Sequence, residues 1–311
     1  LFEKGAICYD DLVSKYWPEF AQNGKSKTTI KDLVSHRAGL PYLANELSLS
    51  EVLNWQFMVK QLEIQEPLWN PGDAYAYHAI THGWLTGEII KRISGKTAGE
   101  HLKEQLAQPL GASTWVGLPS DKEENVAQMY ARGDLLEFFE TLAENDTEVG
   151  NFIIRGLTLG NAFPVTLVSK NGGFNAEEVH QSEIPAAGGI STASGLAKIW
   201  SSSVVETDGV RFISDKTVES VTQVQSQGKP FIDIDPPYMK FGMGFQLDSD
   251  ARPYLSNKSF GHDGAGGQCS FADSTHKIGF AFLTNEMGGG ENDDRRATRL
   301  IEELKAILSV A

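Results

Sequence analysis

Cysteine is scarce in this 311-residue sequence: Cys8 and Cys269 stand far apart and in no CxxC pair. That excludes a disulfide scaffold and a cysteine zinc site. No apolar run approaches the ~20 residues that a membrane-spanning helix needs. Basic residues are outnumbered, 27 Lys and Arg against 41 Asp and Glu, for a net charge of −14. A surface that acidic repels phosphate backbones, so nucleic acid is not an expected partner. There is no initiator methionine and no basic segment leading into an apolar signal stretch. HExxH, GxGxxG and GxxxxGK[ST] are all missing. Gly264-Ala265-Gly266-Gly267 is glycine-rich, but it lies between expected strands instead of opening a helix, so it does not support nucleotide binding.

What is present is an ordinary globular composition, 41% hydrophobic and 22% charged, in a chain long enough for about two compact units. Leu1 to Lys4 followed by Gly5 reads as the last turn of a helix with its glycine stop. The expectation is therefore that a helix, and any targeting signal, lies upstream. Thr29 is placed to cap a helix with Asp32 three residues on, stopped at Gly39. Ser50 and Glu51 open a run with Val52, Leu53, Phe57, Met58 and Leu62 at helical spacing. Helices are also expected over 77–93, where Gly83 and Gly87 suggest close packing, and over 97–106, 191–200 and 214–224. Residues 118–185 show no clean period. After about residue 238 the period becomes two: Phe241, Met243, Phe245 and Leu247 alternate with polar or small residues. Further strands are expected at 258–264, 268–273 and 278–285, with a hairpin turn at Asp273–His276. A final amphipathic helix, capped by Asp293 or Asp294, carries Ala297, Leu300, Ile301, Leu304 and Leu308 on one face. Helices first, then an antiparallel meander closed by a helix, argue α+β.

Most isolated chemical motifs dissolve on inspection. His78 and His82 are spaced i, i+4, but Ala79 stands where a zinc protease needs Glu, and no third ligand follows, so no metal is expected. Gly189-Ile190-Ser191-Thr192-Ala193 lacks the last glycine of a GxSxG elbow, and no strand is expected before it. Ser191 and Thr192 read instead as helix caps. SxxK occurs at Ser226/Lys229 and Ser274/Lys277, but neither pair is expected on the helix that would bring amine to hydroxyl.

Two segments remain: Pro71-Gly72 through Tyr77, leading into a helix, and Gly261-His262-Asp263-Gly264-Ala265-Gly266-Gly267 before two strands. Together with LFEKG at 1–5, VSKYWPEF at 13–20, IKDLVSHRAGLP at 30–41, Pro109-Leu110-Gly111 and Gly188–Ala193, the chain resembles the serine β-lactamase-like superfamily of class C β-lactamases, penicillin-binding proteins and family VIII carboxylesterases. The resemblance covers nearly the whole chain and lies in the order and spacing of the pieces.

It implies an α+β fold, an α/β sandwich with an antiparallel sheet flanked by helices and a mostly helical subdomain at about 40–190. The sheet subdomain would comprise 1–39 and 191–311. It also implies a serine acyl-transfer enzyme that needs no cofactor. Its SxxK helix would run on into the first residues, with the lysine about three to four turns before Leu1, so the nucleophile would lie outside this sequence. Tyr77 matches the Tyr of Tyr-x-Asn, near a helix N-terminus that would favour its phenolate and let it shuttle a proton. His262-Asp263-Gly264 matches the Lys-Thr-Gly or His-x-Gly motif of an edge strand. Gly264 would allow close substrate approach, and the Ala265 N–H would be an oxyanion donor. His36 reads as a helix-end residue. Two departures matter: Ala79 replaces the usual Asn, and His262 replaces a fixed cation that would hold a β-lactam carboxylate. Both favour a neutral, short-chain ester over an amide. A β-lactamase or D-Ala-D-Ala peptidase-like hydrolase, or a non-catalytic binding relative, are the alternatives; no partner beyond a small-molecule ester or amide is implied.

Overall fold

The computed structural model describes residues 1–144, 146–289 and 295–310. Leu1–Gly5 form a tight turn that ends, as expected, in a left-handed glycine: the Gly5 N–H donates to Phe2 O at 2.8 Å and φ is +68°. Capping chemistry then sets the helices. Thr29 opens α1 (Ile30–Val34), its hydroxyl accepting the Asp32 N–H while the Asp32 carboxylate accepts the Thr29 N–H. The chain leaves α1 at His36, at φ +63°, ahead of Gly39. Ser48, not Ser50, caps α2 (Leu49–Val52). Asn54 accepts the Phe57 N–H and starts α3 (Trp55–Ile64), splitting in two the run read as one helix. α4 (Thr81–Ser94) begins four residues later than its apolar period suggests, because residues 76–78 bond across to residues 36–40 instead of along a helix axis. Gly83 allows the close packing expected of it: an added Cβ would stand 2.6 Å from Ala186 N. α5 (Ala98–Leu102), capped by Thr97, runs into a π-helical turn at Lys103–Ala107.

The stretch without a clean period proves to be short pieces. β1 (Thr114–Val116) and β2 (Tyr130–Ala131) are followed by α6 (Gly133–Glu144), α7 (Glu148–Thr158), β3 (Val168–Ser169), β4 (Gly172–Gly173) and α8 (Glu177–Gln181). β5 (Gly189–Ser191) pairs with β1 and leads straight into α9 (Ala193–Ser202), which Thr192 caps by accepting the Gly195 N–H. A strand therefore does precede Ser191, contrary to the expectation from sequence. The strand is too short to show a period, and its pairing comes from β1, far away in sequence. α10 (Asp215–Val221) is capped by Ser214.

The main sheet comes from the last third of the chain. β6 (Lys240–Phe241), β7 (Gln246–Leu247), β8 (Ser259–Gly264), β9 (Gln268–Asp273) and β10 (Ile278–Phe282) form an antiparallel sheet of order β10-β9-β8-β7-β6. The alternating run 241–247 is a hairpin, not one strand: the chain turns at Gly244, φ +87°, and the Gly242 N–H donates to Phe245 O at 2.8 Å. β11 (Glu286–Met287) pairs in parallel with β2. α11 (Arg296–Val310) closes the chain; its expected cap, Asp293 or Asp294, lies outside the described residues.

The sheet is sandwiched. On one face Ala297 and Ile301 of α11 pack with Tyr254, Cys269 and Phe271, and Leu304 and Leu308 lie against them. Leu300, placed on that face by its spacing, is instead 49% exposed. On the other face α9 lies over β9 and β10, and Trp200 joins Val204, Leu247, Phe260 and Ala272. The largest buried cluster is helical, drawing Val13, Trp17, Phe20, Ile30 and Leu33 together with residues of α3 and α4. The result is an α+β fold with an antiparallel sheet between helices. No helix among the described residues is long and apolar enough to cross a membrane.

α9 reaches β10 closely only because Gly279 has no side chain. A Cβ there would stand 2.3 Å from both Ala197 O and Ser201 N. Gly279→Val should therefore lower the unfolding free energy by about 1–3 kcal/mol. Gly133→Ala, where nothing lies within 4 Å of an added Cβ, should change it by less than about 0.5 kcal/mol. Denaturant melts of the two variants check this.

Candidate active site

Tyr77 and His262, 185 positions apart, stack with ring centroids 5.5 Å apart. Both are brought there by backbone pairing. The segment 68–81 is clamped to the chain leaving α1: the Leu68 N–H donates to Gly39 O, the Gly72 N–H to Arg37 O, and the Ala76 N–H to His36 O. Thr81 Oγ1 donates to Leu40 O at 2.7 Å. From the other side Ser226 Oγ donates to Ser35 O at 2.7 Å, and Ser226 exchanges backbone bonds with Phe241. Phe241 lies parallel to the Tyr77 ring, 6.0 Å between centroids, and edge-on to His36 at 4.5 Å. β7 and β8 then carry His262 in beside them.

His36 and His262 lie against Tyr77, and His78 and His82 lie against His36. His36 is 4.6 Å from His82, 5.7 Å from His78 and 5.1 Å from Tyr77, between ring centroids. His78 does not sit on α4, so the i, i+4 pair does not exist as a helical pair. Its Nδ1–H donates to Ala76 O at 2.7 Å and its Nε2 accepts the Leu40 N–H at 3.0 Å, which fixes a neutral ring with both nitrogens used. The His78 N–H in turn donates to His36 Nδ1 at 3.2 Å. Burial pushes His78 down to about 3 and His82 down to about 4. Burial and the neighbouring imidazoles hold His36 well below its usual value, and burial lowers His262. The site is thus uncharged at neutral pH on this side.

The sequence led to the expectation that a helix dipole would favour the Tyr77 phenolate. Here Tyr77 lies outside α4, which starts at Thr81, and the surroundings act in the opposite sense. Desolvation first, and then the Asp263 carboxylate, push Tyr77 up to about 12. The residue is still 40% exposed, so its ring is not sealed from solvent. Tyr77 is a neutral phenol that can donate a hydrogen bond at neutral pH.

β8 is an interior strand, not an edge strand, but only over part of its length. β7 pairs with it at Phe260 and Gly261, so residues 262–264 have a strand partner only on the β9 side. The Asp263 N–H on the free side donates to Gln246 Oε1 at 3.1 Å. The Asp263 carboxylate, raised by burial and lowered by Arg252, accepts from Arg252 Nε at 2.9 Å. Arg252 Nη1 reaches Thr298 of α11 at 3.0 Å. Gly264 and Ala265 are exposed at the hairpin that follows. A Cβ on Gly264 would stand 2.8 Å from Gln268 Cβ, so cross-strand packing by itself accounts for this glycine. Among the described residues, the Ala265 N–H has no hydrogen-bond acceptor.

The other candidate nucleophiles are engaged elsewhere. Ser191 Oγ is bonded to Thr114 Oγ1 at 2.6 Å and to Ser113 O at 3.1 Å. Ser226 is buried against Ser35 O, and Lys229 pairs with Asp233. Ser274 lies in the β9–β10 turn, and Lys277 pairs with Asp215. Phe241, His82 and Gln246 were not singled out by sequence as neighbours of Tyr77 and His262. Alternation marks Phe241 only as buried, and contacts across the sheet give the rest.

The depressed imidazoles make stability pH-dependent. An unfolded His titrates near 6.5, but His78 and His82 titrate near 3 and 4 when folded. Between those values the unfolded chain binds more protons, so stability falls as pH drops from about 6.5 to about 4.5. His78→Gln should flatten this slope while lowering stability at pH 7; chemical denaturation at pH 7, 6, 5 and 4.5 measures both. An equal slope in wild type and variant would contradict the assignment.

Many solved structures share this fold. The mycobacterial protein described as esterase/beta-lactamase LipL, from Mycobacterium tuberculosis (strain ATCC 25618 / H37Rv), is 29% identical over 296 residues, 92% of this chain. The chain spans 65% of the length of that relative. A penicillin-binding protein homolog from Caulobacter crescentus superposes with a TM-score of 0.82 at 31% identity, covering 98% of this chain and 78% of the other. A family VIII carboxylesterase superposes equally well, TM-score 0.82 at 27% identity, over 97% of this chain and 77% of its own. The family model described as Beta-lactamase matches residues 1–305, and the chain belongs to the beta-lactamase family.

Proposed function

We propose that this protein is a serine acyl hydrolase of the carboxylesterase kind, acting on neutral short-chain esters through an acyl-enzyme. The observation that carries the reading is the stacking of Tyr77 on His262 at the free end of β8, beside the unbonded Ala265 N–H. In this reading Tyr77 passes the proton between nucleophile and leaving group, and Ala265 N–H is one oxyanion donor. Gly264 leaves the strand open to substrate, and His262 binds it as a neutral donor. The nucleophile is a serine of a Ser-x-x-Lys helix outside residues 1–311. Its lysine supplies the cation needed to bring a phenol at about 12 into a working range. The two SxxK matches within the chain lie in turn or extended backbone and are paired elsewhere.

Ester is favoured over β-lactam because His262 stands where the resemblance expects a fixed cation for the carboxylate. His262 is a lowered, neutral imidazole, and the charge that acts on Tyr77 is the Asp263 carboxylate. The solved structure described as a family VIII carboxylesterase supports this direction, while the relative described as an esterase/beta-lactamase carries both activities in its description. The reading also divides the chain into a mostly helical part, about 40–190, and a sheet part of 1–39 and 191–311, with Tyr77 and His262 meeting between them. Residues 1–39 touch both parts, through the helical core and through Ser35 and Arg37 to Ser226 and Gln225.

The full-length protein should hydrolyse p-nitrophenyl butyrate with a kcat/KM far above that for a cephalosporin. Tyr77→Phe should cut kcat by about 10²–10⁴-fold, the usual share of a positioned proton carrier. Residues 1–311 alone should turn over neither substrate. Comparable constants for the two substrates would overturn the ester assignment, and ester hydrolysis abolished by Ser191→Ala would return the nucleophile to the β5–α9 junction.

A further inference from the structure

One exposed apolar side chain is linked to the Tyr77–His262 pair through Phe241 and Gln246, and the roles assigned so far leave it unused. Met239 is 44% exposed immediately before β6. Residues 239 and 241 share a face of an extended segment, and Phe241 packs on Tyr77 and His36. Met239 thus continues outward the row whose inner member supports the Tyr77 ring. Its backbone is pinned across the cleft wall, where Met239 O accepts the Tyr75 hydroxyl at 3.4 Å. Its side chain is placed by Gln246: Gln246 Nε2 lies 3.7 Å from Met239 Sδ, while Gln246 Oε1 takes the Asp263 N–H. Gln246 is itself 1% exposed. One buried amide therefore spans the thioether and the backbone of the residue after His262.

We infer that Met239 is a specificity-determining residue, forming an apolar wall that receives the hydrocarbon part of the acyl group of the ester. This rests on the esterase reading above. A thioether on an unbranched chain suits such a wall, because it covers aliphatic chains of differing length and adjusts to each. A hexanoyl group extends four carbons farther from the reacting carbonyl than an acetyl group, so a wall at position 239 acts on the longer chain. Each methylene it covers adds to transition-state binding.

The test is the ratio of kcat/KM for p-nitrophenyl hexanoate to that for the acetate, measured on the full-length protein, because the ratio cancels any change in folded fraction. Met239→Ser should lower it about tenfold, and Met239→Leu should hold it within about twofold. Ile307→Ser, an apolar-to-polar change on the outer face of α11, where residue 307 is 65% exposed, should leave it unchanged. An unchanged ratio in Met239→Ser, with both esters turned over by wild type and slowed by Tyr77→Phe, would overturn the role of Met239 and leave the esterase reading standing. No hydrolysis of either ester by the wild type would overturn the esterase reading, and the proposed wall with it.

Discussion

The site depends on one residue in an uncommon backbone conformation. His36 stands at φ +63° at the end of α1, fully enclosed, with its ring between His82, Tyr77 and Phe241. Its carbonyl takes the Ala76 N–H and its Nδ1 takes the His78 N–H. Those two bonds hold residues 76–78 extended, out of α4, and so turn Tyr77 toward the sheet. A non-glycine residue in the left-handed region persists only where its surroundings over-determine it. Here a buried ring and two backbone bonds do so. The same contacts require the imidazoles to stay neutral, which ties the geometry of the cleft to pH.

The other half of the site is held from behind. Side chains alternate along β8, so His262 and Asp263 face opposite sides of the sheet. Asp263 meets Arg252, which continues to Thr298 on α11. A buried carboxylate left without its guanidinium would cost far more than the pair contributes when intact, so the pair acts as a geometric constraint. Its charge reaches Tyr77 as well and raises the phenol. Within the chain, then, every influence on Tyr77 keeps its proton in place. In the proposed reading, proton transfer by Tyr77 would need a cation beside it.

The order of elements was legible wherever a local rule governs. The Thr29 capping box, the Ser214 cap and the β8–β9–β10 meander all follow from residues within a few positions of each other. The pairing of Tyr77 with His262 was legible only through the resemblance, since no local rule relates residues 185 positions apart. Two of the elements that sequence placed wrongly were set by tertiary bonds overriding a local period: the start of α4 was displaced by bonds to residues 36–40, and β5 was made a strand by β1. Two others were set by local features that the period does not reveal, the turn at Gly244 within 241–247 and the Asn54 cap that starts α3. Leu300 fell outside its stripe because α11 rests on the sheet through Ala297 and Ile301.

In the proposed function Tyr77 serves a nucleophilic serine beside His262. The most direct measurement is covalent labelling of the full-length protein with a fluorophosphonate ester, with the adduct located by peptide mass spectrometry. The expected result is one adduct per chain, on the serine of a Ser-x-x-Lys motif, formed at least about a hundredfold more slowly in Tyr77→Phe. An adduct on Ser191, or labelling at an equal rate without the Tyr77 hydroxyl, would contradict it.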